Sequence, residues 1–123
     1  MKFYFASRFK NKEKILKISE VLKNNKHKVT SSWLEAPSLK PYSENEKSCR
    51  LMANKIENEI KKSDILVLLS DRAGTDMFVE LGMAISLKKK IYIVGKWNKR
   101  SLMHFHPSIK HTTSLKDLVN KFL

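Results

Sequence analysis

The segment Asp64-Ile-Leu-Val-Leu-Leu-Ser70 carries five consecutive aliphatic side chains between an aspartate and a serine. A strand with one face in water alternates apolar and polar residues, whereas an unbroken apolar run is the mark of a strand covered on both faces. Covering both faces takes helices above and below a parallel sheet. The rest of the chain supplies both kinds of element. Segments 2–7 (KFYFAS) and 90–95 (KIYIVG) read as two more buried strands. HKVTSSW at 27–33 alternates with polar residues and reads as a strand near an edge, and IKHTT from 109 as a short last strand. Helices are expected over 11–25, with Ile15, Leu16, Ile18, Val21 and Leu22 at helical spacing, and over 46–62, with Leu51, Ile56 and Ile60 inward. Two more are expected over about 76–89 and over 114–123, the last with Ser114 as its cap.

The expected fold is therefore α/β, with residues 1–123 forming one flavodoxin-like, three-layer domain. Its five-stranded parallel sheet has the order 2-1-3-4-5, helices on both faces and right-handed crossovers. In such sheets ligands bind beyond the carboxyl ends of the strands, where the strand order reverses between strands 1 and 3. Two loops meet at that point, ASRFK (6–10) and SDRAGT (70–75). The aperiodic segments 34–47, with two prolines, and 96–108 read as long loops that choose the substrate, with Trp97 and Phe105 as covering aromatics.

Composition excludes several classes. No apolar run approaches the roughly 20 residues that a membrane span needs. The opening MKFYFASRF is too short and too soon interrupted by charge for a signal peptide. A single cysteine, Cys49, cannot make an internal disulfide, so the expected home is the reducing cytoplasm. The net charge of +13 points toward nucleic acid, but 21 of the 25 basic residues are lysines, spread along helices and turns. Base readout and bidentate phosphate contacts favour arginine, so direct nucleic-acid binding is discounted. His104 and His106, in HFHP, lack two further ligands at metal spacing, and no metal site is expected.

Within the third expected helix, Met77 to Leu87 holds one charge, Glu80, among largely apolar neighbours. A buried unpaired carboxylate costs several kcal/mol or takes up a proton. Either Glu80 is held in a cleft and used there, or it points along the helix N-terminus into solvent. In SDRAGT, Asp71 closes a strand, Gly74 permits a tight backbone, and a helix starting near Thr75 or Asp76 offers free N–H groups to a phosphate or a sugar hydroxyl. The glycine spacing of a P-loop or dinucleotide fingerprint is absent, and Asp71 and Asp76 can equally be turn and helix caps. In FYFASRFK, small Ala6 and Ser7 leave room for a ligand, and Arg8 and Lys10 can meet an anion, although Lys10 also suits an open surface. Trp33 is a candidate pocket wall, and Arg72, Gly74, Thr75 and Met77 are further candidate substrate contacts.

FYFASRF, IKKSDILVLL and AGTDMFVELGMAISLKKKIYIVG together resemble the nucleoside 2-deoxyribosyltransferase-like superfamily, over about residues 2–96. Its relatives include 2′-deoxynucleotide N-hydrolases and, more distantly, TIR-type NAD glycohydrolases. The resemblance implies that Glu80, the glutamate of ELG, attacks the anomeric carbon of a (deoxy)ribose. It implies that Tyr4, on the first strand, holds that nucleophile, and that Ala6 and Ser7 approach the sugar and phosphate. The chain departs from the pattern at three places. Ile56 stands where a sugar- or base-contacting aspartate is common, Gly74 where some members have Asp or Ser, and Asp76 where glycine is common. The expectation is an N-glycosidase-type enzyme acting on a nucleoside or nucleotide, with Tyr4 and Asp71 orienting Glu80 or the sugar. Arg8 and Arg72 would favour a phosphorylated substrate. Neither metal nor organic cofactor is required, and the resemblance implies a homodimer or a larger homo-oligomer. The alternative is a non-catalytic nucleotide-binding module of the same fold.

Overall fold

All five aliphatic residues of the Ile65–Leu69 strand are buried, and that strand occupies the middle of a five-stranded sheet. In the computed structural model, which describes residues 1–123, the strands are β1 (Lys2–Ala6), β2 (Lys28–Val29), β3 (Ile65–Leu69), β4 (Lys90–Val94) and β5 (Ile109–Thr112). Their order is β2-β1-β3-β4-β5 and every neighbouring pair is parallel, as the apolar run at 65–69 requires. The helices are α1 (Lys12–Asn24), α2 (Glu46–Lys62), α3 (Asp76–Ser86) and α4 (Leu115–Asn120). None is long and apolar enough to cross a membrane.

Strand alternation divides the core in two. Phe3, Phe5, Val67, Leu69, Tyr92 and Val94 face one side, where Ile15 and Leu22 of α1 and Leu118 of α4 cover them. Tyr4, Ala6, Leu66, Leu68, Ile91 and Ile93 face the other, under Ile60 of α2 and Met77, Leu81 and Ala84 of α3. Tyr4 is thereby committed to the α3 side. That placement decides the site.

Three expectations need correction. The strand expected over 27–33 pairs only at Lys28–Val29, and Ser32–Glu35 forms a 3-10 turn. Side chains replace the ladder there: the Phe5 N–H donates to Ser31 Oγ at 3.1 Å, and Trp33 Nε1–H donates to the Phe5 carbonyl at 2.8 Å. Leu51 is 67% exposed rather than inward, because α2 turns the stripe Cys49, Met52, Ala53 and Ile56 toward a cavity and Leu51 lies off that stripe. Val21 likewise faces outward, since α1 is anchored through Ile15, Ser19 and Leu22.

Candidate active site

Glu80 does not point into solvent. It lies in the second turn of α3, buried, and accepts a 2.5 Å hydrogen bond at Oε1 from the Tyr4 hydroxyl. Burial raises its carboxyl to about 7; the Tyr4 hydroxyl opposes that rise, and the charges of Asp76 and Glu59 add to it. Burial also lifts the Tyr4 phenol far above its ordinary range, with Glu80 reinforcing the shift, so Tyr4 keeps its proton and acts as a fixed donor. A half-protonated carboxylate near neutral pH, with one oxygen anchored, suits nucleophilic or acid–base chemistry.

A cavity of about 680 Å³ opens beside Glu80. Its floor comes from the end of β1 and the start of α3, where Ser7, Arg8, Gly74, Thr75 and Met77 join Glu80 in the wall. Gly74 sits at φ +123°, and a Cβ there would stand 2.8 Å from Met77 Cε and 3.2 Å from Arg8 Cγ. At that φ any residue but glycine is strained, whatever room its neighbours could yield. Trp33 forms another wall, tied down by its bond to Phe5. The roof is the 36–42 segment, pinned at three points. Lys12 Nζ donates to the Ala36 carbonyl at 3.2 Å, Asn45 Nδ2 donates to the Leu39 and Pro41 carbonyls at 3.1 Å each, and the Tyr42 hydroxyl donates to Asp76 Oδ2 at 2.6 Å.

The remaining expected residues sit around this wall rather than in it. Ala6 is fully buried beneath the floor, where its small size lets α3 approach β1. Asp71 is buried behind the loop and takes ion pairs from Lys10 at 3.1 Å and Arg8 at 3.8 Å, and its Oδ1 accepts from the Arg72 amide at 2.8 Å. Burial pushes its carboxyl up, but the Lys10 hydrogen bond, the Arg72 amide and the two cations outweigh that and hold it below the usual range. Asp71 thus holds Arg8 and Lys10 and is not itself among the residues that line the cavity. Arg72 is exposed and outside the wall, its carbonyl accepting from Arg100 at 2.8 Å.

Sequence reasoning missed other wall residues. Phe9, Tyr42, Asp76, Val79 and Met83 line the cavity, and Lys10, a candidate anion contact in the sequence, stands in its wall while its side chain stays exposed. Asp76 and Glu80 are four apart on one helix, a spacing that puts them on one face and that the sequence displays. The 96–108 loop, expected to choose the substrate, contributes nothing to the wall. Phe105 is 62% exposed, and His104 is buried between two serines, with Nε2 3.0 Å from Ser70 Oγ and Nδ1 2.7 Å from Ser101 Oγ. His104 is a brace for the loop.

No family model matches the chain, and no curated protein matches it in sequence. Solved structures do. The CMP N-glycosidase BcmB of Clostridium botulinum superposes with a TM-score of 0.66 at 16% identity, over 99% of this chain and 98% of that one. A 2-deoxyribosyltransferase of Bacillus psychrosaccharolyticus superposes with a TM-score of 0.69 at 24% identity, over 98% and 91%. The chain has the nucleoside 2-deoxyribosyltransferase-like fold. In this fold the cavity beside Glu80 lies at the reversal of strand order between β1 and β3, the position from which α/β sheets bind their ligands.

Proposed function

We propose that this protein is an N-glycosidase-type enzyme that removes the base from a nucleoside or a nucleoside monophosphate. The observation that carries the proposal is the buried Tyr4–Glu80 hydrogen bond at the edge of the cavity. The bond occupies Oε1 and leaves Oε2 without a protein donor, free for the anomeric carbon. As Oε2 bonds to that carbon, the C–N bond breaks and its electron pair leaves with the base. The oxocarbenium-like charge that develops between these events is met by the same carboxylate. Water, or a second base in a transfer reaction, then releases the sugar from Glu80. Because both superposed proteins are enzymes of nucleoside or nucleotide chemistry, the fold supports this class of substrate.

Arg8 and Lys10 at the rim favour a phosphorylated substrate. Both stand in the wall, gathered by Asp71, which leaves a net positive charge for an anion. Ser7 and the N–H groups at the start of α3 lie on the same side.

The test is chromatography for released base. Cytidine, deoxycytidine, their monophosphates and the purine counterparts are incubated with the wild type and with Glu80→Gln. Free base from the wild type and none from the variant is the expected result. A nucleotide that raises the melting temperature without being cleaved would instead identify a binding module.

A further inference from the structure

Asp76 and Glu80 are the two acidic side chains in the cavity wall. They stand one turn apart on α3, and each has one carboxylate oxygen fixed by a tyrosine. Tyr4 holds Glu80 Oε1 at 2.5 Å, and Tyr42 holds Asp76 Oδ2 at 2.6 Å. The two tyrosines come from opposite sides of the cavity, Tyr4 from the sheet beneath and Tyr42 from the roof. The second oxygen of each carboxylate makes no protein hydrogen bond. Tyr42's phenol is pushed up to about 12, first by its bond to Asp76 and then by burial and Asp76's charge, so it too remains a donor. The charge of Asp76 is also felt at Glu80, whose carboxyl it helps to raise.

Spacing and direction both bear on what this pair can do. Side chains four apart on a helix lie on one face, with their Cβ atoms about 5–6 Å apart, so both carboxyl groups can border one bound sugar. Helical side chains lean toward the N-terminus, so Asp76 lies ahead of Glu80 along the direction in which Glu80 reaches. A base leaving the anomeric carbon departs away from Glu80, and water must enter from that same side. Ile56, an apolar residue, occupies the position where a second carboxylate was expected from the sequence resemblance, and it lines the wall without offering a proton acceptor.

We infer that Asp76 is the base that activates water in the second half of the reaction, with Tyr42 as its positioning residue. This rests on the glycosidase reading of Glu80 above. In the first half, Glu80 Oε2 bonds to the anomeric carbon, the C–N bond breaks, and the departing base takes its proton from solvent. In the second, a water oxygen bonds to the anomeric carbon and the bond to Glu80 breaks, returning its electron pair to the carboxylate. The water's proton passes to the free oxygen of Asp76 and from there to solvent. The sum is one water consumed, one free base and one free sugar.

The experiment is rapid-quench release of base by Asp76→Asn with CMP and whichever other members of the nucleotide panel the wild type cleaves. The expected variant gives a burst of about one base per site, then turnover lowered by about 100-fold or more. Intact mass should show the sugar, with its phosphate, retained on the protein, and azide should restore turnover by attacking in place of water. Tyr42→Phe should keep the burst and slow the steady state less, lowering kcat and KM together and leaving kcat/KM unchanged. A raised KM with unchanged kcat in Asp76→Asn would overturn the inference, marking Asp76 as a contact to a sugar hydroxyl. So would loss of the burst together with turnover. If Asp76→Asn cleaves like the wild type, the inference fails while the glycosidase reading stands. If the wild type releases no base from any substrate, both fail.

Discussion

The Tyr4 hydroxyl meets Glu80 Oε1 across 2.5 Å, joining the first strand to the third helix over a sequence separation of 76 residues. Tyr4 reaches Glu80 because strand alternation sends it, with Ala6, to the α3 face, and because Ala6 is small enough for α3 to lie close. The bond makes one oxygen of a buried carboxylate structural and leaves the other chemical.

Replacing Glu80 separates these roles. Glu80→Gln should lower base release by about 1,000-fold or more, measured by chromatography, because an amide cannot form the glycosyl ester. It should also stabilise the protein at alkaline pH. Glu80's carboxyl is raised from 4.5 to about 7 on folding, so the folded state holds its proton more tightly than the unfolded chain. The stability this provides is full below the unfolded value and is lost as pH rises through about 7. Near pH 8.5 the variant should gain about 2–3 kcal/mol in chemical denaturation, and the gain should vanish below about pH 4.

The pH–rate profile reports the same proton. Only the ionised carboxylate attacks, so kcat/KM for base release should rise with pH and level off above about 7. Tyr4→Phe removes the hydrogen bond that holds the carboxyl down, so its acid limb should move to higher pH. At neutral pH the variant should be about 10-fold slower, and it should lose about 1–3 kcal/mol of stability from the unpaired Oε1. An acid limb unmoved by Tyr4→Phe would assign the limb to another group.

Arg8→Ala tests the phosphate side. Its KM for a nucleoside monophosphate should rise by about 10-fold or more, the worth of one charge-assisted hydrogen bond, while the matching nucleoside is little affected. Equal effects on both substrates would place the phosphate elsewhere.

Ser114→Ala gives the contrasting case. Ser114 Oγ accepts from the Asp117 amide at 3.1 Å and caps α4, on the face of the sheet opposite Glu80. Thermal denaturation should show a loss of about 1 kcal/mol, with base release unchanged at temperatures where the protein is folded.

Most of the sheet was legible because buried parallel strands advertise themselves: ILVLL and the IYIV that follows Lys90 have no charged position at which to face water, and the lone Glu80 stood out against the apolar helix around it. The edge was harder to read. HKVTSSW has the composition of a strand, yet Ser31 and Trp33 satisfy Phe5 through their side chains, which no periodicity reports. Arg72 and Asp71 were adjacent candidates that both fall outside the wall, Asp71 buried behind it under Lys10 and Arg8 and Arg72 exposed, with only its carbonyl taken by Arg100. The roof was illegible for a related reason. Its partners are Lys12 and Asp76, far along the chain, and Asn45 just beyond the segment, reaching backbone carbonyls and one tyrosine with no repeat to mark them.

That roof has a consequence for how such a protein can change over generations. Residues 36–42 belong to no strand and share no ladder with the sheet, being hung from a lysine, an asparagine and an aspartate. On the proposed glycosidase reading the bond-breaking groups, Tyr4 and Glu80, sit on β1 and α3, whereas much of the cavity's mouth hangs from three tethers. The hanging stretch can therefore be lengthened, shortened or rewritten without disturbing the Tyr4–Glu80 bond, so that change is cheap at one end of the cavity and costly at the other.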